Sequence, residues 1–168
     1  MDTQLLILDK AQTLRKISRI AFEIYENNFQ EDEIIIAGIY DKGYQFAEML
    51  VEELKKITSL KISLIRIDLD KFSLLQSKIS LSCDIEFLKN KSIVLCDDVM
   101  NSGRTMAYSL KPFLNQEIKK LQTAVIVDRD HKTFPISADY VGYKISTTLK
   151  ETINVVLDDS ENLGVYIF

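Results

Sequence analysis

Three short, unbroken apolar runs constrain this chain more than any other feature: Ile34-Ile35-Ile36-Ala37-Gly38-Ile39, Ile93-Val94-Leu95-Cys96 and Thr123-Ala124-Val125-Ile126-Val127. A strand with one wet face alternates apolar and polar residues. These runs do not alternate and are too short for helices, so each reads as a parallel strand covered on both faces. Between them the period changes. Residues 12–27 place Leu14, Ile17, Ile20, Ala21 and Ile24 at helical spacing, with Arg15, Lys16, Arg19, Glu23 and Glu26 on other faces. Phe46, Ala47, Leu50, Val51, Leu54 and Ile57 repeat the pattern, and residues 60–69 alternate as a strand. Residues 103–114 read as a helix that Pro112 kinks or ends early. Short strand-like pieces follow at 138–145, 154–157 and 165–168. The order predicts an α/β fold with a doubly wound, mainly parallel sheet. With 168 residues, no linker and no internal repeat, residues 1–168 are expected to form one domain. The polar, serine-rich stretch 70–84 reads as a long loop of the kind that serves as a lid.

Composition narrows the chemistry. One histidine, His131, and two cysteines, Cys83 and Cys96, exclude a four-ligand Cys/His zinc site and a disulfide framework, so any metal must be held by carboxylates. Nucleophilic catalysis of the Ser-His-Asp or Cys-His kind would have to run entirely through His131, which reads more simply as a surface residue, and Cys96 as packing. A net charge of −4 argues against non-specific nucleic-acid binding. The opening Met1-Asp2-Thr3-Gln4-Leu5-Leu6-Ile7-Leu8-Asp9 is too short and wrongly charged for a signal peptide, and no run approaches membrane-spanning length, so a cytoplasmic protein without a membrane partner is expected.

Ligands on doubly wound sheets bind beyond the carboxyl ends of the strands. The richest such end reads Asp97-Asp98-Val99-Met100-Asn101-Ser102-Gly103-Arg104-Thr105. Backbone amides of Asn101, Ser102, Gly103, Arg104 and Thr105 at a helix start form a donor cluster suited to a phosphate dianion, with Ser102 and Thr105 adding hydroxyls and Gly103 allowing close approach. Asp97 and Asp98 lie about a sugar's length before it, placed to accept from vicinal ribose hydroxyls or to orient the waters of a cation. A strand end followed by a helix cap explains Asn101 or Ser102, and a receiver domain explains the acidic pair. Neither explains the acids, small polar residues, Gly, Arg and Thr in one uninterrupted string.

This string resembles the phosphoribosyl-pyrophosphate (PRPP) signature of the type I phosphoribosyltransferases. Residues 123–145, including Val127-Asp128-Arg129-Asp130-His131 and Asp139-Tyr140-Val141-Gly142, are similar to the branch that combines pyrimidine operon attenuation with uracil phosphoribosyltransferase activity; so are Ile7-Leu8-Asp9 and Ser18-Arg19-Ile20-Ala21-Phe22-Glu23. The resemblance implies Mg²⁺-dependent transfer of ribose 5-phosphate from PRPP to a nucleobase, uracil first, giving UMP and pyrophosphate. It implies that Asp97 and Asp98 bind the ribose, that residues 101–105 bind the 5-phosphate, and that Tyr40, Asp41, Lys42 and Gly43 hold pyrophosphate and magnesium. Catalysis then falls to Asp97, Asp98 and the lid cation Lys71. Asp128, Tyr140, Val141 and Gly142 are implied to form a hood that receives the base, where Tyr40 and Tyr140 are candidates for stacking. A homo-oligomer, dimer or higher, is also implied.

Two departures stand beside the match. Asp41 and Lys42 stand where the family usually carries a hydroxyl residue and arginine, and Lys71 and Lys78 are the lid's only cations. They open a second reading, a catalytically weak regulator that binds PRPP or UMP; a third is transfer to a purine base. RNA is bound in the family by a basic face of the dimer, which brings in Arg15, Lys16 and Arg19 with Arg129, His131 and Lys132. Phe22 stands where that face is expected to carry a histidine, and the chain's acidity favours a solvated helix face instead.

Overall fold

The structure, a computed structural model, describes residues 4–73 and 78–168. In chain order its elements are β1 (Leu5–Leu8), α1 (Lys10–Asn28), β2 (Glu33–Ile39), α2 (Lys42–Ile57), β3 (Lys61–Asp68), β4 (Ser80–Leu81), a 3₁₀ turn (Ile85–Leu88), β5 (Ser92–Met100), α3 (Arg104–Ser109), α4 (Lys111–Leu114), β6 (Lys120–Asp128), β7 (Tyr140–Lys144), β8 (Ile153–Val156) and β9 (Gly164–Ile167). Six strands form one sheet in the order β4-β3-β2-β5-β6-β7, all parallel except β4.

The unbroken apolar runs are explained by how alternate residues sort. Ile34, Ile36, Val94, Cys96, Ala124 and Ile126 join Ile17, Ile20 and Ile24 of α1 and Phe46, Leu50 and Leu54 of α2 in one cluster. Ile35, Ala37, Ile39, Ile93, Leu95 and Val125 join Leu88, Met106 and Phe113 in a second. Neither face is left to water, so neither needs polar residues. A reciprocal capping box sets the start of α1: the Asp9 carboxylate accepts from the Gln12 amide at 2.8 Å, and the Gln12 side-chain oxygen accepts from the Asp9 amide at 2.9 Å. Pro112 acts as expected. The helix ends at Ser109, and α4 begins afresh with proline in its first turn, where a missing N–H costs nothing.

The sequence reading is extended at two places. Leu5–Leu8 is a strand that pairs antiparallel with β9, and with β8 gives a second sheet in the order β1-β9-β8. The stretch 70–84 is not loop throughout: Ser80–Leu81 returns along the edge of β3, pairing with Ile67 and Asp68, while residues 74–77 lie outside the described residues. Among the described residues no helix is long and apolar enough to cross a membrane.

Register fixes where a ligand can sit. Met100 pairs with Asp128, so β5 and β6 end side by side, while β2, whose Gly38 pairs with Cys96, stops short of them. From β2 the chain turns to β3 on one side and reaches β5 on the other, which places the switch point of the sheet between β2 and β5.

Candidate active site

A cleft of about 360 Å³ opens at that switch point. Asp97, Asp98, Asn101, Ser102, Gly103, Arg104, Thr105 and Lys71 all line it, so the acidic pair, residues 101–105 and Lys71 share one space. The first amides of a helix have no intrahelical acceptor. Those of α3 belong to residues on the cleft wall, where Ser102 Oγ already accepts from the Arg104 amide at 3.2 Å. Gly103 sits at φ 82°, a left-handed conformation that side chains resist, and a Cβ there would lie 2.6 Å from Ile136 Cγ2.

Asp97 is buried, while Asp98 beside it is partly open. The Asp98 amide donates to Asp97 Oδ1 at 3.0 Å, and Lys71 Nζ lies 2.9 Å from that same oxygen and 3.8 Å from Asp98 Oδ1. Burial, and next the neighbouring Asp98 charge, push the Asp97 carboxyl up to about 7 even though Lys71 pulls the other way. For Lys71, burial works against the charged form, but Asp97, Asp98 and Asp41 together overcome it and raise its pKa.

The loop after β2 packs against the acidic pair through Gly43, but none of Tyr40, Asp41, Lys42 and Gly43 lines the cleft. Ile39 ends level with Asp97, and a Cβ on Gly43 would come within 2.8 Å of both Asp97 Oδ1 and the Cys96 carbonyl. Only a glycine lets the first turn of α2 lie against β5 here. The Tyr40–Asp41 peptide is cis. Lys42 Nζ donates to Asn154 Oδ1 on β8 at 2.5 Å, Asp41 accepts from Gln45 Nε2 at 3.3 Å, and the exposed Tyr40 ring carries the Arg66 guanidinium at 5.6 Å.

The residues expected to receive the base are placed elsewhere. Tyr140, Val141 and Gly142 belong to β7 inside the main sheet, with Tyr140 paired to Ala124, four residues below the end of β6. Tyr140 is buried and its hydroxyl donates to Gln122 Oε1 at 2.9 Å, while the Val141 and Gly142 carbonyls accept from Arg19. A Cβ on Gly142 would lie 2.5 Å from the Ile126 carbonyl, so this glycine serves strand packing. Asp128 is at the right end of β6, but it is buried and engaged by Lys132 Nζ at 3.0 Å and by the Asp130 amide at 2.9 Å. The cleft is lined instead by Ile153, at the start of β8, and by Phe72, neither of which sequence reasoning singled out.

Of the basic residues weighed for RNA, Arg129 is buried and points at neutral acceptors, Arg19 pairs with Glu23 at 2.6 Å, and Lys16 lies over the Tyr143 ring at 5.8 Å. His131 Nε2 is 2.7 Å from the Thr147 carbonyl. Cys96 is fully buried, and burial pushes its thiol pKa up, as packing requires.

Among the described residues no three His, Cys, Asp or Glu side chains gather into a metal cage. The hard oxygen donors of Asp97 and Asp98 fit a magnesium ion that keeps most of its shell as water and substrate phosphate.

Comparison with known proteins agrees with this geometry. The family described as phosphoribosyl transferase domain matches residues 4–160. The chain is 36% identical over 163 residues to the bifunctional protein PyrR of Caldicellulosiruptor bescii, covering 93% of this chain and 90% of that one. It is 37% identical over 167 residues to PyrR of Clostridium kluyveri, covering 95% and 93%. Among solved structures, a hypoxanthine-guanine phosphoribosyltransferase from Bacillus anthracis superposes with a TM-score of 0.78 at 18% identity, covering 99% of this chain and 100% of that chain. The fold, the cleft at its switch point and these relatives converge: the chain belongs to the phosphoribosyl transferase domain family, among the PyrR proteins.

Proposed function

We propose that this protein transfers the ribose 5-phosphate unit of PRPP to uracil, forming UMP and releasing pyrophosphate. The observation that carries the reading is the meeting of Asp97, Asp98 and residues 101–105 in one cleft, with Gly43 seating the loop of residues 40–43 against Asp97. In this reading residues 101–105 hold the 5-phosphate, the acidic pair accepts from the ribose hydroxyls, and Lys42 meets the pyrophosphate. The bond from the sugar to pyrophosphate breaks, a bond to the base nitrogen forms, and that nitrogen's proton passes to the departing pyrophosphate or to water. Positive charge grows on the sugar as pyrophosphate leaves, so orientation, charge neutralisation and exclusion of water suffice without a protein nucleophile. Magnesium, where bound with PRPP, supplies charge neutralisation on the leaving phosphates, and Asp97 and Asp98 would hold its waters. Lys71 must leave the acidic pair for the ribose to enter, which frees its ammonium to face the pyrophosphate.

The test is incubation with PRPP, Mg²⁺ and labelled uracil, hypoxanthine or guanine. UMP is the expected product; a purine nucleotide would reassign the base, and no nucleotide from any base would overturn the catalytic reading. PRPP binding without turnover would favour the second reading, a regulator of pyrimidine genes acting on RNA. That reading draws on a second cleft of about 510 Å³ lined by Arg15, Lys16 and Arg19.

A further inference from the structure

We infer that Arg129 is a positioning residue that fixes residues 146–152 against the cleft and couples them to residues 101–105; the inference rests on the phosphoribosyl-transfer reading of that cleft. Arg129 lies one residue beyond β6 and is 8% exposed. A guanidinium so buried is costly unless its donors are met. Here Nη1 donates to Asn101 Oδ1 at 2.8 Å, Nε and Nη2 donate to Thr147 Oγ1 at 3.0 and 2.8 Å, and Nη2 also reaches the Thr148 and Glu151 carbonyls at 3.3 and 2.6 Å. All these acceptors are neutral oxygens; the Glu151 carboxylate, which accepts from the Thr148 amide, feels the Arg129 charge without accepting from it directly.

What the contacts share is geometry. A planar fork with five fixed donors can span two separate loops, which the point charge of a lysine cannot do. On one side is Asn101, at the start of the loop that lines the cleft. On the other is the stretch carrying Thr147 and Glu151, which runs directly into Ile153 on the cleft wall. The backbone reinforces the bracket. The Arg129 amide donates to the Met100 carbonyl at 3.0 Å, the Thr133 and Phe134 amides both donate to the Ser102 carbonyl, and His131 Nε2 donates to the Thr147 carbonyl. A ligand that fixes Asn101 therefore fixes Arg129, and through it the segment leading to Ile153. Filling the phosphate loop prepares the part of the cleft left for the base, and by linkage the base strengthens phosphate binding by the same factor.

The test compares the full-length protein with Arg129→Gln, Thr147→Val and the double variant, all leaving Asn101 in place. Calorimetry gives the affinity for ribose 5-phosphate, steady-state kinetics gives KM for uracil, and hydrogen exchange follows the amides of residues 146–152 with and without ribose 5-phosphate. In the unaltered protein the sugar phosphate should slow exchange in this segment, and Arg129→Gln should abolish the slowing. Arg129→Gln should raise KM for uracil about tenfold while ribose 5-phosphate affinity changes less than about twofold, the size expected for losing hydrogen bonds to a charged group. Thr147→Val should act in the same direction and more weakly, and the double variant should be no worse than Arg129→Gln because both break one linkage. If Arg129→Gln fails to fold, Thr147→Val carries the test. Ribose 5-phosphate binding without slowed exchange overturns the coupling alone, whether or not any base is turned over. So do unchanged KM values, or a parallel loss of sugar-phosphate affinity and KM, which would mark a merely structural arginine. No binding of ribose 5-phosphate by the unaltered protein overturns the reading of the cleft and this inference with it.

Discussion

Asp97 holds a charge in a place that disfavours one. Its carboxyl is raised from the ordinary 3.8 to about 7 by burial and by Asp98, with Lys71 only partly offsetting them. A folded value above the unfolded one means that this group's contribution to stability is complete below about pH 4 and is lost as pH rises through 7. Asp97→Asn keeps the acceptor for the Asp98 amide and removes the charge. It should raise stability at pH 8 by about 1–3 kcal/mol, less than the full linkage of about 1.4 kcal/mol per pH unit because Lys71 loses its partner. Thermal unfolding should show a higher Tm at pH 8 and no gain at pH 4, together with loss of PRPP binding; a lower Tm at pH 8 would sink the idea. The acidic pair was legible in the sequence because the string from Asp97 to Thr105 is contiguous, so spacing alone assembles it. Arg129 was not. Its partners stand 28 and 18 positions away along the chain, and only the fold shows that its charge faces inward rather than towards RNA.

At the scale of elements, helix α2 is placed against β5 by the absence of a side chain. Gly43→Ala puts a carbon 2.8 Å from Asp97 Oδ1 and from the Cys96 carbonyl, and 2.9 Å from Asp97 Cα. Two of those three atoms are backbone, so the helix must shift as a whole. The variant should lose about 1–3 kcal/mol by urea denaturation, the usual cost of overpacking. It should lose PRPP binding more severely than stability, because the shift moves the loop of residues 40–43 off Asp97; unchanged PRPP affinity would show that this loop does not take part. Apolar period made the strands and helices readable, and Pro112 the break between α3 and α4. Register was unreadable. Tyr140, Val141 and Gly142, expected beside the base, do not line the cleft because β7 begins its pairing low on β6, with the Asp139 carboxylate accepting from the Thr123 amide at 2.8 Å. A sequence displays the composition of a strand but not the height at which it docks. The strand Leu5–Leu8 is illegible for a related reason, since its pairing partner lies at the far end of the chain.

Across the whole molecule the two ends of the sheet are built on opposite electrostatic terms. At the amino end Glu33 of β2 accepts from Ser63 on β3 at 2.7 Å and from Lys91, just before β5, and pairs with Lys61 at 3.3 Å. Burial alone would raise its pKa, but these donors outweigh it and bring the carboxyl down to about 2. A folded value below the ordinary 4.5 gives stability that is full above pH 4.5 and lost as pH falls through 2. Glu33→Gln should therefore cost about 1–3 kcal/mol at pH 7, discounted because Lys61 is well exposed and screened, and almost nothing at pH 2. Urea midpoints at the two pH values decide it; equal losses at both would mean that packing rather than charge is at stake. Glu33 is met by donors at that end of β2, whereas the carboxyl end keeps Asp97 at a cost and lends it Lys71. That loan has a kinetic consequence. A polyanion diffusing towards the cleft does not meet two bare carboxylates but a pair already carrying its own counter-ion, so the barrier to encounter is lowered before contact. In the proposed transfer the ammonium would then swing from a partner on the protein to one on the arriving ligand, and the rate of that exchange would depend on the ionic strength of the surroundings.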